Sequence, residues 1–325
     1  NLFESRPSVM DDGRIFYDRW EYVDRHFGPS FGLWTVRPDG TRHDLFYGNN
    51  AWSPGAVFDA RTVPHSQQFV AVFGACHDRP WGAMVLVDRR RGLDGMEPVV
   101  RSWPADIGAL MPNPEEVPQK PGTEHPHAGL IDRLVQLPIK YEDPWPLSDE
   151  TFLCSRMTGV GEQMGLYMLD IHGTESQLYV DASEAMGCFD PMPLGPRQRP
   201  PVIPNEVELA ETNATFYVTD VYRGSGMENV PRGTVKTIRV VEAPPKRHWT
   251  KSGQHWHIDT HQAPAMNFNC TNNKRILGDA PVELDGSAYF EVPPDRFVFF
   301  QLMDEQGRMV QSMRSGTTTQ PGELP

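Results

Sequence analysis

A strand–turn–strand unit recurs three times in the first half of the chain, and this repeat constrains the fold more than any other feature. The units comprise residues 12–17 with 33–36, residues 66–72 with 84–88, and residues 147–153 with 166–170. In each, a turn rich in Pro, Asp, Ser or Gly leads into a short apolar strand. About 20 residues later a second strand ends in a turn containing Asp or Gly. Hairpin-connected strands repeating at roughly 50 residues are the signature of β-propeller blades. The competing arrangement is three unrelated hairpins in a sandwich. Three units are too few to close a propeller of about four to eight blades. The expectation is therefore a partial fan over residues 6–193, its remaining blades upstream of Asn1, with an open edge that another chain can pair with. The third unit is delayed by a Pro-rich stretch, residues 103–146, which lacks periodicity and is expected to be a long surface loop.

Composition supports a mainly β fold. The chain carries 31 Pro and 28 Gly in 325 residues, too many breakers for long helices. The formal net charge of −13 argues against a nucleic-acid partner, because phosphate binding needs clustered Lys and Arg. The short cluster Arg89-Arg90-Arg91 abuts Gly92 and reads as a solvated turn rather than an anion site. No run approaches the roughly 18 apolar residues of a membrane-spanning helix, so no membrane span is expected.

Residues 189–204 contain six prolines and read as an extended, stiff connector. It divides the chain into the last blades of a propeller, residues 1–195, and a small antiparallel β-sandwich, residues 196–325. In the second part, strand periodicity places strands at residues 214–218, 234–241, 288–292 and 297–302.

Chemistry-bearing residues are sparse. Cys76, Cys154, Cys188 and Cys270 form no Cys-x-x-Cys pair, so neither a zinc ribbon nor a haem-attachment motif is present, and isolated thiols are expected. The densest cluster is His255-Trp256-His257-Ile258-Asp259-Thr260-His261. On a strand, His255, His257 and His261 share a face with Asp259 and are the candidate ligands for zinc, with His248 and Cys270 nearby; a polar surface is the alternative. His125 and His127 lie in the Pro-rich insertion beside Glu124. His77-Asp78 follows a strand and reads as a turn-stabilising pair. Asp11-Asp12 and Glu115-Glu116 are adjacent carboxylates that point apart on extended chain, poor geometry for acid–base work. Nucleophile-elbow, phosphate-loop and dinucleotide motifs are absent from the sequence.

An ordered set of motifs adds a resemblance. In the first part these are Asp12-Gly13-Arg14-Ile15, Arg19-Trp20-Glu21, Leu33-Trp34, Pro38-Asp39-Gly40-Thr41 and Tyr47-Gly48-Asn49. In the second they are Val221-Tyr222-Arg223-Gly224, Val230-Pro231-Arg232-Gly233, Arg275-Ile276-Leu277-Gly278, Val282-Glu283-Leu284-Asp285-Gly286 and Gln311-Ser312-Met313. Together they resemble hydrazine synthase alpha-subunit-like proteins of the Planctomycetes type. That family couples a WD40-like (PD40-type) propeller to the hydrazine synthase middle domain. The resemblance implies an exported, periplasmic protein associated with c-type haem. In the family, the run corresponding to Gln320-Pro321-Gly322-Glu323 is followed by a Cys-x-x-Cys-His motif, so the haem region is expected beyond Pro325 and no cofactor within this chain. It also implies that the chain docks other subunits, the remainder of its own polypeptide, or a redox partner. The first function class is thus the scaffold of an oxidoreductase; the second is a non-catalytic module that binds a protein or glycan.

Overall fold

The computed structural model describes residues 2–21, 31–48, 51–112, 128–183, 186–224, 226–244, 274–313 and 315–325. The first part forms three antiparallel four-stranded units. The first is β1 (Leu2–Val9), β2 (Ile15–Glu21), β3 (Phe31–Val36) and β4 (Asp44–Tyr47), paired in that order. The second is β5 (Ala56–Thr62), β6 (Gln68–Gly74), β7 (Gly82–Asp88) and β8 (Val99–Trp103). The third is β9 (Tyr141–Pro146), β10 (Thr151–Met157), β11 (Met164–Asp170) and β12 (Glu175–Tyr179). A single pairing, Gly82 with Tyr141, joins the second and third units at the edge of β7. The arrangement is mainly β and consistent with a partial propeller; among the described residues no sheet closes into a barrel.

The central strands of the second unit form because their side chains are apolar on both faces. Phe69, Val70, Ala71, Val72 and Phe73 of β6 are all fully buried, as are Ala83 to Val87 of β7. One side of β6 faces the first unit through Phe69, which lies near Phe16, Phe46 and Tyr47 at ring-centroid distances of 6.1, 5.4 and 5.8 Å. The other side faces the third unit in a cluster holding Val70, Met84, Trp103, Tyr141 and Phe152.

The insertion is not a surface loop over the length the sequence suggests. Ile107, Leu130, Ile131, Leu134 and Leu137 are buried, and a 3-10 helical segment, Ala128–Gln136, seats on the second unit. Residues 141–146 then form β9 rather than loop, despite Pro144 and Pro146. As a first strand, β9 is laddered on β10 and pairs with β7 only at Tyr141, so the missing N–H groups interrupt little. Gly55 is required beneath the insertion, because a Cβ there would stand 1.9 Å from the Ile131 carbonyl oxygen.

The second part contains a two-stranded sheet, β13 (Ala214–Val218) with β16 (Ala288–Val292). A four-stranded sheet accompanies it, ordered β15 (Arg275–Pro281), β14 (Thr237–Glu242), β17 (Val298–Met303) and β18 (Met309–Ser312). Phe216, Phe290 and Phe300 bring the two sheets together, with ring centroids 4.9 to 5.8 Å apart. β14 starts later than the alternation at 234–241 suggests, because Tyr222 Oη takes the N–H groups of Gly233 and Val235 at 2.8 and 3.0 Å.

Residues 316–323 bind the second part to the first unit. Arg19 donates to the Gly316 carbonyl at 3.0 Å, Arg42 N–H donates to Glu323 Oε1 at 2.8 Å, and Gln320 lies against Gly40.

Candidate functional site

The first strand of every unit carries the same irregularity. β1, β5 and β9 each hold one extra residue relative to their partner strand, a β-bulge. At each bulge a non-glycine residue takes left-handed backbone: Arg6 (φ 49°), Asp59 (φ 51°) and Asp143 (φ 52°). This conformation costs a non-glycine residue roughly 1–2 kcal/mol, so its recurrence marks positions held by their surroundings.

Those surroundings are ionic. Arg6 bridges Asp18 Oδ2 and Asp59 Oδ1, each at 3.2 Å, and its guanidinium lies 4.9 Å from the Phe58 ring centre. Asp143 Oδ2 accepts from Ser155 Oγ at 2.9 Å and from the Asp190 N–H at 3.0 Å. Burial raises the Asp59 carboxyl to about 7; Arg6 opposes the rise, and Asp143 and Asp18 add to it. Asp59 is thus protonated more readily in the folded chain than in the unfolded one. Its contribution is favourable below about pH 4 and is lost as pH rises toward 7, on the order of 2–4 kcal/mol in all. Asp59→Asn is expected to remove that slope. Urea titrations at pH 5 and 7.5 check this, and a variant that keeps the wild-type pH dependence would contradict it.

Beside the bulges, the ends of the three units enclose a cleft of about 1180 Å³ whose outer wall is the Pro-rich connector, residues 193–200. The connector runs from the third unit to the first. Arg197 lies 4.6 Å from the Trp145 ring centre on β9, Pro201 O closes on Gly13, and Glu206 pairs with Arg37 and takes Asp39 Oδ2 on its N–H at 2.8 Å. Gly13 is needed at this crossing, since its φ is +89° and a Cβ would stand 2.5 Å from Pro201 O.

Two arginine–aromatic stacks lie in the cleft. Trp145 has Arg61 at 4.4 Å in addition to Arg197, and Phe46 has Arg89 at 3.8 Å and Arg14 at 5.9 Å. Burial lowers the pKa of Arg61 and of Arg89 from the usual guanidinium value. The sequence reading of Arg89-Arg90-Arg91 as a solvated turn holds for Arg90, which donates to the capping Asp88 carboxylate, but Arg89 is half-buried and faces the cleft. Nothing in the local sequence distinguishes it; its partner Phe46 comes from the preceding unit.

The other sequence candidates separate. His255, His257 and His261 lie outside the described residues, as do His248, Cys270, Glu115, Glu116, Glu124, His125 and His127. His77 and Asp78 do not pair with each other. His77 binds Asp132 at 2.8 Å and Asp78 binds Lys140 at 2.9 Å, so both anchor the insertion. Asp12 is occupied by Arg14. Cys76, Cys154 and Cys188 are free thiols, and burial pushes Cys76 up to about 12, which makes it unreactive. Among the described residues no group of three His, Cys, Asp or Glu is arranged to hold a metal.

Several motif residues of the second part meet in one turn cluster. Arg232 joins Asp220 Oδ2 at 2.5 Å and the Asp285 carbonyl at 2.9 Å, while Gly286 (φ +89°) lets the Val282–Gly286 turn approach Asp220. Their role is architectural. Residues 233–325 match the sequence profile of the hydrazine synthase alpha subunit middle domain. This part of the chain is similar to that domain. A solved structure of Kuenenia stuttgartiensis hydrazine synthase matches 99% of this chain with a TM-score of 0.66 and 16% identity, which shows a shared fold. The match covers 43% of that chain, so this chain spans less than half its length. Among curated proteins none matches. No helix among the described residues is long and apolar enough to cross a membrane.

Proposed function

We propose that this chain is the scaffold of an exported, cytochrome c-associated oxidoreductase of the hydrazine synthase alpha type, with the haem carried by another part of the same polypeptide. The observation that carries the reading is the profile match over residues 233–325. A scaffold's task in such an enzyme is to place the cofactor-bearing segment and to dock partners. The chain's own residues suit that task. Arg19 and Glu21 hold Gly316, and Arg42 holds Glu323, so the run 316–323 is tied to the first unit rather than left as a tether.

The test is to produce the intact gene product, with its own leader, in a host that matures c-type cytochromes. Covalent haem that survives denaturing electrophoresis, in periplasmic protein, is the expected result. A haem-free product from a host that loads a control cytochrome would overturn the reading and leave a non-catalytic binding module in its place.

A further inference from the structure

We propose that the cleft between the three unit ends and the Pro-rich connector docks an acidic polypeptide segment of a partner. Five arginines and two aspartates line it, in a chain whose net charge is −13. Of the two aspartates, Asp12 is already occupied by Arg14. The guanidinium groups of Arg61, Arg89 and Arg199 form no hydrogen bond or close ion pair among the described residues, although Asp59, Asp190 and Asp143 act on Arg61 and Asp44 on Arg89 from further away, and Arg89 Nε is buried without an acceptor. Arg61 and Arg89, hydrogen-bonded to no carboxylate yet held against aromatic rings, are preorganised for incoming anions, because little side-chain freedom is lost on binding.

Two features favour a peptide over a compact anion. The cationic groups form two separate stations, Arg61 with Arg197 at Trp145 and Arg89 with Arg14 at Phe46. A ligand must therefore present at least two spaced anionic groups. The volume of about 1180 Å³ also exceeds the roughly 300–1,000 Å³ of small-molecule sites. Acidic side chains along an extended segment meet both conditions, and each carboxylate fits a guanidinium bidentately. The partner could belong to the assembly proposed above, but the docking reading stands on the cleft alone and is tested without reference to haem.

The probe is a fluorescein-labelled decapeptide of alternating Glu and Gly, titrated into the intact gene product and followed by anisotropy, with a Gln-and-Gly peptide as the neutral control. The Glu peptide is expected to bind, weakening steeply with salt, while the Gln peptide does not. Arg61→Gln with Arg89→Gln is expected to weaken binding by about tenfold or more, and Arg90→Gln, outside the cleft, to leave it unchanged. If the double variant does not fold, Arg199→Gln on the exposed connector serves instead, with a several-fold loss expected. Equal binding of the two peptides, or undiminished binding by the variants, would overturn the proposal. So would displacement of the Glu peptide by pyrophosphate at equal or lower concentration, which would make a small polyanion the ligand.

Discussion

Arg19→Ala is expected to destabilise the protein by about 3–5 kcal/mol, the cost of removing one partner from a buried ionic group. Arg19 sits on β2 with its side chain 1% exposed, and Glu21, 3.5 Å away on the same strand, is equally buried. Its guanidinium stacks 4.3 Å from the Trp34 ring centre and 5.3 Å from that of Phe297, and it donates to the Gly316 carbonyl. Truncation would take the Arg19 cation away from the buried Glu21 carboxylate and remove a cross-link between the first unit and the second part. Arg19→Lys should recover only part of the loss, since a point charge cannot stack on both rings and reach Gly316 together. Denaturant unfolding of the intact protein measures the loss, and limited proteolysis between residues 316 and 323 reports the local release. A cost under about 1 kcal/mol, within the range of exposed ion pairs, would show that Arg19 does not join the two parts.

Phe69→Ala is expected to cost a similar 3–5 kcal/mol, the range for deleting a buried aromatic side chain. The ring is fully buried and lies among Phe16, Phe46 and Tyr47, all from the first unit. Its loss therefore opens a cavity between units rather than within one, where neither sheet can close it without shifting against the other. Phe69→Leu should cost less, because more of the volume is kept. Val160→Ala, at a position 72% exposed, should lie within about 0.5 kcal/mol of wild type. The measurement is the denaturant midpoint at unchanged slope. Equal midpoints for Phe69→Ala and Val160→Ala would refute the account of the interface. Because Phe46 also carries Arg89 and Arg14, Phe69→Ala should disturb the cleft as well.

The sequence alone determined the strands that are apolar on both faces or strictly alternating. β2, β3, β6, β7, β10 and β11 are the two central strands of each unit, and each holds a short apolar stretch, such as Ile15-Phe16-Tyr17 of β2, that a periodicity reading detects. β13 and β16 were legible for the same local reason. The connector and the turns were legible because proline and glycine restrict the backbone whatever surrounds them. What only the tertiary structure decided are the flanking strands. β1, β9 and β12 carry charges, and the first two also prolines, in the sequences LFESRPSV, YEDPWP and ESQLY, and become strands because a neighbour already offers a ladder. The bulges at Arg6, Asp59 and Asp143 have no glycine to announce them; ion pairs and packing hold the backbone there. The cleft is the extreme case. Arg14, Arg61, Arg89 and Arg197 stand far apart in sequence, each unremarkable where it stands, and become one cationic surface only when three sheet ends and the connector meet. Electrostatics acts through space, so a site assembled from four separate segments leaves no periodic trace in any one of them.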